Sequence, residues 1–274
     1  MNARIFFALA ALAVAPLTAQ LARPNADGVS MGHIHLAVKD VDAHNQFWTA
    51  TMGGTLVKSG PLEMIRFPGV FILLRQAEPS GAPAGSIVNH FGFVVKDMQA
   101  SLAKWKQNQI KIEQGENPNQ AYVTAPDAIR VEIFGDPSIS TAILMNHIHF
   151  YPTDIHAMQG WYAKTFGGVA GTRARVARPG RIDSVDLPGV NLSFSQGEKA
   201  LAFTKGRSLD HIGFEVKDLD AFVAKLEAQG IKLDVAPRMV PNSNLKIAFL
   251  TDPWGTYIEL TQGLASASAP SDSR

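Results

Sequence analysis

Four histidines occupy the same place in four related stretches of the sequence, and their chemistry is the clearest lead to function. Each stands near the start of an apolar, strand-like run that leads into a helix-like segment. The four are His33, His90, His147 and His211. A neutral imidazole is a common ligand of divalent metals and can accept a proton near neutral pH. The recurrence therefore favours a repeated functional site over four unrelated core histidines.

Two carboxylates recur with similar regularity. Glu132 and Glu259 each lie in an apolar run at the end of the second and fourth repeats, where Leu73 and Ser193 occupy the equivalent places in the first and third. A carboxylate among apolar neighbours is costly to bury unless it is paired or bound to a cation. Two histidines and one glutamate suit Fe(II), and also Zn, Mn or Ni. The alternative is a metal-free pocket with inherited polar residues.

The spacing of the repeats predicts the fold. His147 lies 114 positions after His33, and His211 lies 121 positions after His90 (147 − 33 and 211 − 90). Each repeat has the pattern of a strand, a capped helix that ends near a glycine, and three further short strands. We therefore predict an α+β fold of four strand-helix-three-strand (βαβββ) modules, paired into two U-shaped mixed β-sheets with the helices outside.

Neighbouring modules are expected to pair along the chain. This gives an N-terminal domain over 30–136, a linker over 137–145 and a C-terminal domain over 146–263. Residues 264–274, rich in Ala and Ser, are predicted to be a disordered tail. The pairing predicts two metal-binding sets, of which we rank the second first: His33, His90 and Glu132 in the N-terminal half; His147, His211 and Glu259 in the C-terminal half.

His149 is the candidate proton acceptor. Residues two apart on a strand share a face, so His149 would lie ~6.6 Å along the strand from His147. A structural role for this histidine is an equally valid interpretation of its position. The candidate catalytic residues are thus His149, as a base, and Glu259, through the ion that it would bind.

The first residues have the layout of a secretory signal peptide. A positive start is followed by an apolar run from Ile5 to Ala15, then by Pro16 and small residues before Gln20. Residues 1–19 are therefore predicted to be a signal peptide, and the protein to be secreted or periplasmic.

Composition narrows the remaining classes. The chain has 274 residues, 46% of them hydrophobic, a formal net charge of +1 and no cysteine. The charge gives no indication of nucleic-acid binding, and the lack of cysteine excludes thiolate catalysis and thiolate metal ligation. A small-molecule substrate is the expected partner, and no membrane association is expected once the signal is removed; the sequence leaves the oligomeric state open.

The combined pattern resembles the vicinal oxygen chelate (VOC) superfamily, which includes glyoxalase I, extradiol ring-cleaving dioxygenases and bleomycin-resistance proteins. The resemblance covers residues 30–263 and includes the run from Thr251 to Leu260, Thr-Asp-Pro-Trp-Gly-Thr-Tyr-Ile-Glu-Leu. It implies that two modules enclose one metal, held by a histidine from the first strand of each and a glutamate from the last strand of one.

Members of the superfamily with different functions differ at a few positions, which can be compared with this sequence. Leu73 and Ser193 stand where glyoxalase-like enzymes usually carry a further carboxylate, and Tyr122 stands ten residues before Glu132, as in extradiol dioxygenases. The leading expectation is an exported metal-dependent lyase or isomerase, glyoxalase-like, acting on a small hydroxycarbonyl substrate bound through vicinal oxygens. The alternatives are an Fe(II) ring-cleaving dioxygenase and a non-catalytic small-molecule binding protein.

Overall fold

The computed structural model describes residues 21–175 and 179–266, so the predicted signal peptide over 1–19 lies outside the described residues. Modules one and two comprise β1 (Val29–Val38), α1 (Val41–Gln46) with a π-helical continuation (Phe47–Thr51), β2 (Thr55–Ser59), β3 (Leu62–Phe67), β4 (Val70–Gln76), β5 (Val88–Val95), α2 (Met98–Gln107), β6 (Ile112–Gln114), β7 (Gln120–Ala125) and β8 (Ile129–Gly135). Modules three and four comprise β9 (Ile143–Phe150), α3 (Ile155–Phe166), β10 (Val169–Ala174), β11 (Arg181–Leu187), β12 (Val190–Phe194), β13 (Leu209–Val216), α4 (Leu219–Ala228), β14 (Val235–Met239), β15 (Lys246–Thr251) and β16 (Tyr257–Gln262). No helix in this part of the chain is both long and apolar enough to cross a membrane.

In each module an aspartate follows the histidine-bearing strand and immediately precedes the first residue of the helix. The Oδ1 atoms of Asp40, Asp97, Asp154 and Asp218 each accept a hydrogen bond from the backbone N–H three residues later, at 2.9–3.1 Å. All four aspartates have extended backbones, as helix-capping residues require. This local signal fixes the turn from strand to helix in every module.

The two sheets join the modules in an order that differs from the predicted one. Modules one and four form one eight-stranded sheet, in the order β14-β15-β16-β13-β1-β4-β3-β2. Modules two and three form the other, in the order β10-β11-β12-β9-β5-β8-β7-β6. Four βαβββ modules in two mixed sheets are thus confirmed, but the prediction that consecutive modules pair as 30–136 and 146–263 is wrong.

The short connection between the two halves accounts for part of this pairing of module two with module three. Strand β9 already begins at Ile143, inside the predicted linker over 137–145, so only a short segment separates it from β8. It lies antiparallel to β5, which pairs with β8 on its other edge. Short connections favour neighbouring elements in space, and the C-terminal half therefore enters the sheet of module two.

One large core cluster links the two sheets. Trp48 contacts Phe67 of the first sheet and Phe91 of the second, with ring centroids 6.3 and 5.9 Å apart. Phe166 on α3 contacts Phe214 on β13 at 4.6 Å, which ties module three to module four. Burial of each such side chain contributes roughly 1.5–3 kcal/mol. The two halves are therefore held together by shared aromatic packing.

The chain end is ordered further than predicted. Leu264, the first residue of the predicted disordered tail, is fully buried. Glu215 Oε1 accepts hydrogen bonds from the backbone N–H groups of Gly263 and Ala265, at 3.0 and 3.2 Å. The predicted tail therefore starts too early, and residues 267–274 lie outside the described part of the chain.

His44 connects α1 to the turn before β8. Its Nε2–H donates to Asp127 Oδ2 at 3.2 Å, while its Nδ1 accepts from Trp48 Nε1 at 3.3 Å. In the other half, the Tyr162 hydroxyl donates to Asp252 Oδ2 at 2.8 Å and makes the corresponding connection. Both halves therefore tie a helix to the turn that leads into the glutamate-bearing strand.

The free energy of unfolding should fall in mild acid because the buried His44 resists protonation in the folded protein. Burial lowers the pKa of His44 below its ordinary 6.5, although Asp127 opposes the shift. The unfolded chain then takes up the proton first as pH falls, so this contribution is complete above about pH 6.5 and is lost as pH falls through the folded pKa. We expect His44→Gln to reduce the fall in melting temperature between about pH 7 and pH 5, measured by circular dichroism. His156→Gln, at an exposed histidine on α3, should leave the fall unchanged; equal pH dependence in both variants would contradict this role.

Candidate metal centres

Two histidines and one glutamate meet in the sheet of modules two and three. His90 Nε2 and His147 Nε2 lie 3.0 and 2.9 Å from the same oxygen, Glu132 Oε2. His149 offers a fourth donor, and the ligand atoms of the group all lie within 4.8 Å of one another. We call these four residues, His90, Glu132, His147 and His149, the polar site.

An equivalent group lies in the other sheet. His33 Nε2 and His211 Nε2 lie 3.0 and 2.8 Å from Glu259 Oε2, and His35 completes the four. The ring centroids of His33 and His211 are 5.6 Å apart at 85°, against 5.5 Å and 89° for the matching pair of the polar site. We call His33, His35, His211 and Glu259 the apolar site, for reasons given below.

All six predicted metal ligands lie in these two groups, but the predicted sets are wrong. The prediction placed His147 with Glu259 and His33 with Glu132, whereas the structure places each histidine with the other glutamate. The cause is the exchange of modules between the sheets. His149 and Glu259, predicted as catalytic partners, consequently belong to different sites.

The donor atoms are arranged as a cation requires. His211 Nδ1–H donates to Asp210 Oδ1 at 2.6 Å, so its Nε2 presents a lone pair towards Glu259. Asn89 and Asn146 hold the Nδ1 atoms of His90 and His147 in the same way, at 2.9 and 2.8 Å. Two acceptors facing each other need a cation or a proton between them, and ligands at right angles on an ion with ~2.1 Å bonds would lie ~3.0 Å apart. The observed spacings fit a divalent ion.

Unsatisfied polar atoms support the same conclusion. Buried ring nitrogens without a hydrogen-bond partner among the described residues concentrate at these two sites: His33 Nδ1, His35 Nδ1 and Nε2, and His149 Nδ1. A buried polar atom without a partner is costly, and an unfilled metal position is one explanation for such atoms. The residues present therefore fit a metal ion at each site.

Two glycines make room for the ligand rings. Gly92 lies opposite His147 in the sheet and Gly213 lies opposite His33. A Cβ atom at either glycine would lie 2.3 or 2.0 Å from the facing imidazole, closer than any real contact. The space that the sequence leaves beside His90 and His211 is thus filled by the histidine of the paired module.

The electrostatics favour ionised carboxylates. Burial would raise the pKa of Glu132 and of Glu259, but the adjacent imidazoles lower it well below the ordinary range in both cases. Burial lowers the pKa of His147 to about 4, against the pull of Glu132, and burial likewise holds the pKa of His149 well below its ordinary value. At neutral pH the polar site therefore presents an ionised Glu132 and the neutral imidazoles of His147 and His149.

The second oxygen of Glu132 is also fixed. Tyr122 donates its hydroxyl proton to Glu132 Oε1 at 2.7 Å, and Gln120 Nε2 donates to the same oxygen at 2.5 Å. Phe249 and Ile247 occupy the equivalent positions beside Glu259, 127 residues later (249 − 122 and 247 − 120). The glutamate of the apolar site therefore receives no hydrogen bond from these two strand positions.

The same contrast extends along the strands that carry the histidines. His33 and His35 pair with Phe71 and Leu73 on β4, whereas His147 and His149 pair with the polar Asn191 and Ser193 on β12. One strand further out, Met64 pairs with Leu73 at one site, and its counterpart Ser184 pairs with Ser193 at the other. The neighbours that are apolar at one site are polar at the other.

A separate hydrophobic cluster fills the space beside the apolar site. It consists of Met64, Phe71, Leu73, Leu245, Ile247 and Leu264. Leu21, near the start of the described chain, and Phe249 pack against it, so both ends of the described chain contribute to the filling. An ion bound at this site would thus have mainly hydrophobic side chains beside it.

The polar site instead opens into a cavity of about 160 Å³. Besides three residues of the site, the cavity is lined by Tyr122, Tyr151, Arg173, Arg175 and Ser195 among others. His149 Nε2 lies 2.9 Å from Ser195 Oγ, and the ring of Tyr151 stacks on His149 at 4.9 Å. A small molecule could therefore reach the polar site.

Sequence reasoning missed Gln120, Arg173 and Ser195. A comparison of equivalent positions in the repeats could have found the first two, because Ile247 replaces Gln120 in module four and Ser59 replaces Arg173 in module one. Assigning Gln120 and Arg173 to one site, however, requires knowing that modules two and three share a sheet.

Comparisons with known proteins agree with this architecture. Residues 30–138 and 144–260 match the model of the Glyoxalase/Bleomycin resistance protein/Dioxygenase superfamily. Glyoxalase I from Zea mays superposes with a TM-score of 0.68 at 17% identity, over 87% of this chain and 94% of that chain. A provisionally named dioxygenase from Bacillus subtilis subsp. subtilis str. 168 superposes with a TM-score of 0.63 at 12% identity, over 89% and 86%. At these identities the similarity shows the fold. A search of curated protein sequences found no match.

Proposed function

The chain belongs to the Glyoxalase/Bleomycin resistance protein/Dioxygenase superfamily, and we propose that it is a divalent-metal-dependent lyase or isomerase that acts at the polar site. The proposed substrate is a small hydroxycarbonyl compound that uses its two neighbouring oxygens to bind the ion. One observation carries the proposal: His149, which can accept a proton, lines the open cavity together with His90 and Glu132, whose ligand set the buried His147 completes.

His149 has the contacts of a positioned proton acceptor. Ser195 engages its Nε2, and its buried Nδ1 has no partner among the described residues. Stacking against Tyr151, with the rings 19° from parallel, restricts rotation of the imidazole. One ring nitrogen is therefore held, and the other has no hydrogen-bond partner that would compete for a proton, as general base catalysis requires.

The remaining residues would hold and orient the reacting groups. A bound divalent ion would polarise the substrate carbonyl and stabilise the charge left when the adjacent carbon loses its proton. His90, His147 and Glu132 would hold the ion, while Tyr122 and Gln120 keep the Glu132 carboxylate from rotating. Nδ1 of His149 would take the proton from the hydroxyl-bearing carbon and return it to the former carbonyl carbon, while the hydroxyl proton passes to the former carbonyl oxygen, so isomerisation needs no further reactant.

Proton exchange tests this proposal without knowledge of the natural substrate. Protein loaded with Zn, Mn, Fe or Ni would be incubated with hydroxyacetone in deuterated water, and the loss of the methylene proton signal followed by NMR. We expect exchange above background in at least one loaded form. His149→Gln should abolish that exchange, and His35→Gln, the equivalent change at the apolar site, should preserve it.

Metal analysis completes the test. Elemental analysis of protein purified without added metal would identify the resident ion. Protein that binds none of these ions would contradict a metal-dependent enzyme and favour the non-catalytic binding protein. Full metal binding without exchange in any loaded form would contradict the proton-transfer reaction alone.

A ring-cleaving dioxygenase is the second candidate, and Tyr122 is the observation that favours it. A tyrosine ten residues before the ligand glutamate is what the resemblance to extradiol enzymes implies, and Tyr122 lines the cavity. Its hydroxyl proton is donated to Glu132, however, so the residue positions a ligand rather than a substrate. Oxygen consumption with catechol by the iron-loaded protein, without consumption by the zinc-loaded protein, would establish this candidate instead.

We also propose export, on the basis of the predicted signal peptide over 1–19. Cleavage before Gln20 would retain Leu21, which packs against the apolar cluster, so processing is compatible with the folded chain. We expect mature protein from the periplasm or culture medium to begin at Gln20, as measured by intact mass. A product that retains Met1 and stays in the cytoplasm would contradict export.

A further inference from the structure

We propose that the natural substrate carries a carboxylate and that Arg173 binds it, which makes Arg173 a specificity-determining residue. This inference rests on the proposed function, since it names the substrate class of the same site: a small hydroxy or oxo acid whose carboxylate lies beside the metal-binding oxygens. Nothing in the family match requires an arginine at this place.

Arg173 is held so that its guanidinium faces the cavity. It lies on β10, opposite Ile182 of β11, and both residues line the cavity beside His149. Its Nε–H donates to Ser193 Oγ at 2.9 Å, and Ser193 in turn donates to Asn191 Oδ1 at 2.6 Å. The Nε is therefore anchored to the strand beside His149, and the two terminal nitrogens are left as donors.

No carboxylate of the described residues contacts the Arg173 guanidinium, although Glu132 and Asp186 attract its charge from farther away. The side chain is half-buried, and a guanidinium keeps its charge at every physiological pH. A partly buried charge without a partner is costly, whereas a planar carboxylate accepts two parallel hydrogen bonds from a guanidinium. An anionic substrate would supply the missing partner.

The charge of the cavity favours the same class. Arg173 and Arg175 contribute two positive charges, and Glu132 and Glu116 contribute two negative ones. A divalent ion would then leave an excess of about two positive charges in a confined space, which attracts anions. The cavity volume of about 160 Å³ is below the roughly 300–1,000 Å³ of pockets for drug-sized ligands, so the anion must be small.

The arginine is specific to the open site. In module one, Ser59 pairs with Leu62 as Arg173 pairs with Ile182 in module three, so Ser59 is the structural counterpart of Arg173. The apolar site thus lacks both the cavity-facing guanidinium and the polar strand neighbours. The cation is therefore a property of the site that a substrate can enter, and not of the repeated fold.

The test compares two ligands that differ mainly in charge. Hydroxypyruvate and hydroxyacetone share a hydroxyl beside a carbonyl group, but hydroxypyruvate carries a separate carboxylate where hydroxyacetone has a methyl group. Both would be titrated calorimetrically into the Mn²⁺-loaded full-length protein. We expect hydroxypyruvate to bind wild type about tenfold or more tightly than hydroxyacetone, and Arg173→Gln to remove most of that difference while Mn²⁺ content and hydroxyacetone affinity stay near wild type.

Arg181→Gln is the matched control. Arg181 lies on the same strand pair, is exposed and bonds Thr172 outside the cavity, so it removes the same charge without touching the site. This variant should keep the preference for hydroxypyruvate. Equal hydroxypyruvate affinity in Arg173→Gln and wild type, or an equal loss in both variants, would overturn the proposal.

Two further readouts keep the outcomes separable. If Arg173→Gln fails to fold or to bind Mn²⁺, Arg173→Lys decides, because lysine keeps the charge but cannot make the paired hydrogen bonds. A selective loss of hydroxypyruvate affinity in that variant supports the proposal, and unchanged affinity overturns it. Wild-type protein that binds no metal overturns the proposed function itself, and with it this inference, whereas normal metal content with no hydroxypyruvate preference overturns this inference alone.

Discussion

Glu132→Gln is expected to remove one bound ion and to lower the rate of proton exchange at least ~100-fold, whereas Glu259→Gln removes the other ion and leaves most of the rate. Loss of a group that merely supports a metal ligand costs 10–100-fold in affinity or activity, and Glu132 would be a ligand itself. The two variants carry the same chemical change in equivalent strands, β8 and β16. The expected difference arises from what surrounds each carboxylate.

The surroundings of the two glutamates differ in access. Glu132 faces a cavity lined by Tyr122 and Arg173, while the space beside Glu259 is filled by a hydrophobic cluster that includes Leu73 and Leu264. A polar substrate at the apolar site would lie against these side chains and find few hydrogen-bond partners among them. An ion bound there would therefore stabilise the sheet without taking part in turnover.

Metal stoichiometry and the exchange rate, measured on the same samples, decide this prediction. Wild type should bind two ions for each chain, and each variant one. A Glu259→Gln protein that has lost its activity and kept the ion at Glu132 would place the reaction at the apolar site. Melting curves of both variants identify any loss of rate that comes from unfolding.

His149→Gln is expected to keep the ion and to lower the exchange rate by about 10²–10⁴-fold, the usual contribution of a general base. Glutamine retains a side chain able to reach Ser195, so the hydrogen bond at the cavity wall has a substitute. It cannot accept a proton at neutral pH. The reaction should fail at the chemical step while metal content is unchanged.

A different result would reveal a different role for His149. Its donor atom lies close enough to the other three to act as a fourth ligand. If the glutamine variant lost metal in parallel with activity, His149 would be a ligand rather than a base. His35→Gln provides the comparison, because His35 has the equivalent place at the apolar site and should not affect exchange.

The repeated local signals in the sequence were sufficient to predict the modules. Aspartates such as Asp97 and Asp218 cap each helix through contacts within three residues, and strand periodicity places His147 and His149 on one face. These features depend on short segments, so they survive whichever module is the neighbour. For the same reason the sequence was sufficient to name the fold class and the six residues that the structure groups around Glu132 and Glu259.

Only the tertiary structure decided which residues meet. Both module pairings satisfy the same strand and helix patterns, and the choice depends on the edge contacts β1–β13 and β5–β9, between strands distant in the chain. That choice places His147 with Glu132, leaves His149 beside Arg173 in an open cavity, and sets Phe71 and Leu73 beside the other site. A sequence repeats the ligands of two sites, but the long-range packing around them gives one site a polar cavity and the other apolar neighbours.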